Sequence, residues 1–232
     1  ASEFPTQQLH SILQQSPLDL AAVGTGAGWL KERLSLTDTD AERRRQAIQF
    51  VAEIIEIAAE FNAPAIIGSM QGQASDITHR SESLGLLAEA LSTLGDHAQR
   101  HGQVLLYEAL NRYETNLLNT QEDAANFLIK HSLVGNGVRL LCDLFHMNIE
   151  EQNVPETITR LGKLSSDLIG HVHWADSNRR AMGLGHTDSN AIYRALNAAG
   201  YDKYLAAEVF PLPSPTEAAS QTILSIEAFT SS

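Results

Sequence analysis

Four short apolar runs of the 232-residue chain each end in a side chain able to bind a metal ion. They are Val104-Leu-Leu-Tyr-Glu108, Val138-Arg-Leu-Leu-Cys-Asp143, Ile169-Gly-His-Val-His173 and Tyr204-Leu-Ala-Ala-Glu208. From Glu108 to Asp143, His173 and Glu208 the steps are 35, 30 and 35 residues. A strand, a helix and two connections need roughly 30 residues or more. The spacing therefore predicts one ligand per βα unit, at the C-terminal end of its strand, where parallel barrels place their chemistry. Four bare carboxylate and imidazole groups near one axis would repel one another or stay unsatisfied without a cation. An oxygen-rich set with one imidazole suits a hard, six-coordinate ion: Mn²⁺, Mg²⁺ or Co²⁺, with Zn²⁺ as a further alternative.

The elements that must position these groups follow from strand parity. Side chains alternate along a strand, so Glu108 shares a face with Leu106, Asp143 with Leu141, His173 with His171 and Glu208 with Ala206. The ligands are expected to form one layer, with the apolar residues beneath. His171 falls a layer deeper, where a hydrogen-bonded core histidine is expected. Cys142 has the opposite parity to Asp143 and reads as a packing residue. His146 follows Asp143 by three residues and faces the same mouth as a candidate hydrogen-bonder to substrate. Glu114 and Arg179 follow Glu108 and His173 by six residues each, in loops over that mouth; either alone would read as a solvated charge. His10, His79, His97, His101 and His131 read as surface histidines, and His186 is undecided. The turn Gly183 to Thr187 offers backbone amides to a phosphate, although a plain turn is the simpler reading.

Helix and strand patterns alternate along the chain, which argues for a parallel sheet covered by helices. Strands are expected over Leu18 to Val23 and Ala65 to Gly68, besides the four runs above. Thr39-Asp-Ala-Glu42 has capping-box form and opens a helix with Ile48, Val51, Ile54, Ile55 and Ala58 on one face. Further helices are expected over Ser83 to His101, Thr120 to His131, Pro155 to Leu164 and about Asn190 to Ala199. Ser214-Pro-Thr-Glu217 starts the last one. Ser2 to Gln14 reads as a helix lacking the strand before it. Six units, no linker and no repeat predict a single domain over residues 1–232. The simplest account is an α/β TIM barrel of eight units whose first one or two strands lie upstream of Ala1. An open six-stranded sheet would expose an apolar parallel edge.

Composition narrows the partners. Net charge is −12 and the largest basic cluster is Arg43-Arg44-Arg45, the reverse of a surface built to neutralise phosphates, so nucleic acid is a poor partner on charge alone. One cysteine precludes an intrachain disulfide and fits a reducing, cytoplasmic setting. No apolar run approaches the roughly 18 residues of a membrane span, and no secretory signal is visible.

Four segments carry a family resemblance: Glu108-Ala-Leu-Asn-Arg-Tyr-Glu114, Asp143-Leu-Phe-His-Met-Asn-Ile-Glu-Glu151, His171-Val-His-Trp-Ala-Asp-Ser-Asn-Arg179 and Glu208-Val-Phe-Pro. From about Leu18 onward the chain resembles the ketose 3-epimerases of the D-tagatose 3-epimerase type. More broadly, it resembles the sugar phosphate isomerase/epimerase superfamily with xylose-isomerase-like barrels. The resemblance implies that Glu108, Asp143, His173 and Glu208 bind one divalent ion, and that Glu108 and Glu208 double as the acid/base pair. It implies that His146, Arg179 and Glu114 contact the sugar, and its six-residue step to Arg179 selects His173 over His171 as ligand. The family's first two strands are unmatched. The implied activity is an isomerase reaction, proton removal from a ketose or related polyol to an enediolate stabilised by the ion, in a homodimer or homotetramer. Rival readings are an inosose-dehydratase-like lyase, a hydroxypyruvate-isomerase-like enzyme, a non-catalytic sugar sensor, and a DNA-repair endonuclease on the same barrel. The endonuclease needs three zinc ions and extra histidines, and Ile67-Gly-Ser-Met70 supplies none. A Schiff-base aldolase is disfavoured because no lysine ends an expected strand.

Overall fold

The structure, a computed structural model, describes residues 5–230. The chain forms two compact units. The first holds the chain to Tyr107 together with Thr115–Leu117 and Leu128–Val138; the second holds Glu108–Glu114, Leu118–Phe127 and the chain from Arg139 on.

In the first unit the order is α1 (Thr6–Gln14), β1 (Val23–Gly24), α2 (Gly26–Glu32), α3 (Ala41–Ala59), β2 (Ala65–Ile67), α4 (Arg80–Arg100) and β3 (Leu105–Glu108), whose last residue opens the second unit. Strand β2 pairs in parallel with β1 and β3, placing Val23 beside Ala65 and Ala65 beside Leu105. Helix α3 buries Ala47, Val51, Ile54, Ile55 and Ala58. It packs on α4, which buries Leu87, Leu91 and Leu94. Each large aliphatic side chain so buried contributes on the order of 1.5–3 kcal/mol. Ala47 rather than Ile48 completes the stripe, since Ile48 is only half-buried. Asp40, not Thr39, caps α3: its carboxylate accepts from the backbone N–H groups of Glu42 and Arg43. Gly26 to Gly28 form the first turn of α2. Strand β1 is shorter than expected because Leu18, Asp19 and their neighbours are exposed or half-buried and only Val23 and Gly24 find ladder partners. Of the expected Ser2–Gln14 helix, Ser2 to Phe4 lie outside the described residues.

The second unit continues with α5 (Gln121–Lys130, the last turn in the first unit), β4 (Val138–Asp143), α6 (Leu144–Glu150), α7 (Val154–Leu164), β5 (Ile169–His173), α8 (Ser189–Ala198), β6 (Leu205–Ala206) and α9 (Pro215–Thr230). Strand β5 pairs in parallel with β4 and β6. Strands β4 and β5 are buried almost throughout, as strands covered on both faces must be. Helices α7 and α8 pack closely: a Cβ on Gly162 would lie 2.5 Å from Cβ of Ala199, which follows α8. The pairing of β4 with β5 carries an irregularity. Leu140 is level with Ile169, but Leu141 is level with His171, so Gly170 is an extra residue. A bulge of this kind re-aims every side chain beyond it, and here it sets Asp143 beside His173.

Candidate metal centre

Three of the four expected ligands end buried strands. Glu108 closes β3, Asp143 closes β4 and His173 closes β5. The fourth sits differently. Strand β6 ends at Ala206, level with His173, so Glu208 lies two residues beyond and its side chain is 49% exposed. The expected common depth therefore holds for three ligands, with Glu208 reaching over them from the following loop. Nδ1 of His173 is the focus: Glu208 Oε2 is 3.0 Å away, Asp143 Oδ2 3.2 Å and Glu108 Oε1 3.4 Å. One ligand atom from each of the four residues falls within 4.8 Å of all the others.

Asp143 serves two structures at once. Its Oδ1 accepts from the backbone N–H groups of Phe145 at 2.8 Å and His146 at 3.2 Å, capping α6, while Oδ2 turns to His173. Helix α6 was absent from the sequence expectation, although an Asp directly before it is the cap residue such a helix wants. The helix places His146 inward, buried, with Nε2 3.9 Å from Glu108 Oε1 and 4.0 Å from Asp143 Oδ2. Arg179 pairs with Glu208 Oε2 through Nη2 at 2.9 Å, stacks 4.7 Å over the Phe145 ring and brings Nη1 to 3.4 Å from His146 Nε2. Glu114 Oε1 lies 3.8 Å from His146 Nδ1. All seven residues singled out in the sequence are thus gathered into one constellation. His171 is buried beneath it, ring perpendicular to that of His173 with centroids 5.4 Å apart. Its Nε2 has no hydrogen-bond partner among the described residues, unlike the bonded core histidine expected.

The electrostatics are those of crowded anions. Burial, aided by the charges of Asp143 and Glu208, pushes the Glu108 carboxyl up to about 7 against its contact with His173. Burial works against a charged His173, yet the carboxylates of Asp143, Glu108 and Glu208 around Nδ1 raise it to about 11. Asp143, despite burial, is held well below the usual carboxylate range by His173 and His146. Burial lowers His146 against the pull of Asp143 and Glu114. Among the described residues, Arg179 pairs with Glu208 Oε2, and a proton on His173 is the positive charge that all three oxygens face together. One proton cannot satisfy three carboxylates, whereas a divalent ion accepts three oxygens and a neutral imidazole together. The donor set therefore fits a hard divalent cation.

Two residues that the sequence did not single out organise the surrounding loops. Asp176 is fully buried. Its carboxylate accepts from four backbone N–H groups: Ser177 at 2.7 Å, Gly183 and Gly185 at 2.8 Å each, and Thr187 at 3.0 Å. The amides offered to a phosphate in the sequence reading are thus occupied by a carboxylate of the chain itself. Gly185 is required there, because a Cβ would meet Asp176 Oδ1 at 2.3 Å. The loop holds Arg179 at φ 57° through the bond from its N–H to Asp176 O, 2.8 Å. His186 accepts or donates one hydrogen bond to Ser177 Oγ on the exposed side of the loop. Asn111 is the second such residue, buried between Glu114 and His146. Nothing in a sequence distinguishes either from an ordinary polar loop residue.

A second group, Glu56, His97 and His101, also brings ligand atoms within 4.8 Å. It is half open to solvent and already paired: His97 Nε2 bonds Glu56 at 3.1 Å and its Nδ1 faces Arg100 at 3.3 Å. Cys142 is buried as expected, and burial raises its thiol far above the usual range. No helix among the described residues is long and apolar enough to cross a membrane.

Residues 1–227 match the model of the xylose isomerase-like TIM barrel family. The chain belongs to this family. Within the xylose isomerase-like barrels, its relatives include sugar epimerases. It is 30% identical over 211 residues to a 3-dehydro-D-guloside 4-epimerase of Escherichia coli, covering 87% of this chain and 76% of the relative. It is likewise 30% identical over 186 residues to a D-psicose 3-epimerase of Enterocloster bolteae, covering 78% of this chain but 60% of that protein. The crystal structure of a D-psicose 3-epimerase with D-tagatose from Clostridium cellulolyticum superposes with a TM-score of 0.79, at 19% identity, over 96% of this chain and 81% of the other. The TIM-barrel fold class and the enzyme class, isomerase, agree with the expectations from sequence. The lyase and endonuclease readings are not favoured, and only one histidine joins the three carboxylates.

Proposed function

We propose that the protein is a divalent-metal-dependent sugar epimerase acting on a ketose or keto-sugar, with Glu108, Asp143, His173 and Glu208 as ligands. The observation that carries this reading is the convergence of three carboxylates on Nδ1 of one buried histidine, in a chain whose relatives include proteins named as sugar epimerases. Mn²⁺ is the ion best suited to this donor set; bound there, it would supply Lewis acidity to oxygens of the substrate.

The chain's own groups account for the proton transfers. Glu108 and Glu208 carry the only carboxylates of the set not tied to a helix cap, and they act as the acid/base pair. One takes the carbon-bound proton and the other delivers a proton to the opposite face, inverting that centre. Arg179 and His146 donate hydrogen bonds to the oxygen that gains negative charge, and Glu114 accepts from a substrate hydroxyl. The substrate is a small sugar, and neither nucleic acid nor a membrane is a partner. A homodimer or homotetramer is the assembly we expect. The single buried thiol suits a reducing, cytoplasmic location.

The test is turnover of a ketohexose panel, including D-psicose and D-tagatose, by Mn²⁺-loaded protein in deuterated water. An epimer carrying solvent deuterium at the inverted carbon is the expected product. Loss of a hydroxyl, or inversion without deuterium, would overturn the reading.

A further inference from the structure

Asn111 stands three residues past Glu108 and is buried, with every polar atom of its side chain engaged. Its Oδ1 accepts from the backbone N–H of Tyr113 at 2.9 Å. A backbone N–H can only donate, so the amide cannot be turned over, and Nδ2 must face the other way. There Nδ2 donates to Glu114 Oε1 at 3.2 Å and meets His146 Nδ1 at 2.7 Å. The backbone N–H of Asn111 reaches the same Nδ1 at 3.3 Å. Two donors thus converge on one ring nitrogen, one of them unable to rotate away.

A neutral imidazole has one accepting nitrogen. With Nδ1 fixed as that acceptor, the ring proton belongs on Nε2, the edge that looks toward Glu108 and Asp143. Two contacts argue for the opposite tautomer: Arg179, with Nη1 3.4 Å from Nε2, and Glu114 Oε1, 3.8 Å from Nδ1 and beyond hydrogen-bond reach. The Arg179 guanidinium is engaged by Glu208 and Phe145, and both contacts are longer than the two from Asn111 to Nδ1. We infer that Asn111 is a positioning residue that locks His146 in the Nε2–H tautomer, so that His146 meets the sugar as a hydrogen-bond donor and never as a base. The catalytic half of this inference rests on the proposed epimerase reading; the tautomer does not.

The experiment is long-range ¹H–¹⁵N correlation on histidine-labelled, metal-free protein at neutral pH, with the His146 signals assigned by their loss in His146→Gln. The wild-type ring is expected to show a bare Nδ1 and a protonated Nε2. In Asn111→Asp the new oxygen accepts where the amide donated, so the proton moves to Nδ1. Asn111→Ala keeps the backbone donor and is expected to give a mixture of tautomers. It also decides the matter if the Asp variant does not fold. With Mn²⁺ restored, kcat is expected to fall about 10²-fold in Asn111→Asp, the scale of losing one donor to a developing oxyanion, with KM changed far less and the melting temperature of Asn111→Ala near wild type. A wild-type ring protonated on Nδ1, or an unshifted tautomer in both variants, overturns the inference even if the protein epimerises sugars. The expected tautomers in a protein that epimerises nothing would instead sink the epimerase reading and leave the lock standing.

Discussion

Asp143 illustrates how a single side chain divides its work by oxygen. Oδ1 holds the N-terminus of α6 and Oδ2 faces His173. Asp143→Asn should separate the two tasks. The amide oxygen still caps the helix, so stability should change by no more than about 1 kcal/mol. The NH₂ group facing His173 cannot bind a cation, so calorimetric titration should show Mn²⁺ affinity lower by tenfold or more; unchanged affinity would exclude Asp143 as a ligand. Arg179 makes a different demand. Its planar fork pairs with Glu208 while its face lies on Phe145, and lysine reproduces the charge but neither geometry. Arg179→Lys should raise KM about tenfold, roughly 1.4 kcal/mol of lost binding, with a smaller effect on kcat, read from steady-state kinetics. The ligand types were legible in the sequence because chemistry restricts them to few residues and the βα repeat spaces them evenly. Asn111 and Asp176 were not, because a polar loop residue declares its role only through the partners that the fold brings to it.

The elements themselves were read unevenly, for physical reasons. Long amphipathic helices such as α3 and α4 announce themselves by period, and the Pro215 start of α9 by its cap. Short strands announce their place but not their bounds: β1 and β6, expected over Leu18 to Val23 and in the run ending at Glu208, hold two residues each, where a neighbour offers a ladder. The Gly170 bulge left no trace in the alternation pattern, yet without it Asp143 would stand beside Val172 instead of His173. The turn from Gly183 to Thr187, read in the sequence as a plain one, is wound around the Asp176 carboxylate. Burial opposes ionisation there, but backbone N–H bonds from Thr187, Gly185 and Ser177 hold the group down to about 2. A carboxyl depressed in the folded state stabilises fully above its unfolded value, about 3.9. That stability is lost as pH falls through about 2. Wild-type protein should therefore lose stability on acidification from about pH 4 to pH 2, in urea-unfolding midpoints, more steeply than Asp176→Asn. At neutral pH that variant should be less stable by about 3 kcal/mol, because its NH₂ would oppose the amides of Gly183 and Gly185. Equal pH slopes for the two proteins would refute the role given to Asp176.

At the scale of the whole molecule the centre is a concentration of negative charge in an already acidic protein of net charge −12. Three carboxylates brought within reach of one imidazole are an arrangement the unfolded chain does not have, so a cation that binds them binds the folded state alone and must stabilise it. At a free concentration one hundred times its dissociation constant, such an ion adds about 2.7 kcal/mol. For a chain of this size each kcal/mol is worth about 2–4 °C in melting temperature. Mn²⁺ should thus raise the thermal midpoint of chelator-stripped protein by roughly 5–10 °C, and excess chelator should reverse the shift. The control that gives the measurement its force is Asp143→Asn, which keeps the fold and should lose most of the gain. Nonspecific screening of the net charge makes a different prediction. A matched ionic strength of a monovalent salt would then stabilise the two proteins equally and by as much as Mn²⁺ does. If that is what calorimetry shows, the four side chains form no metal centre, and the proposed epimerase chemistry loses its foundation together with them.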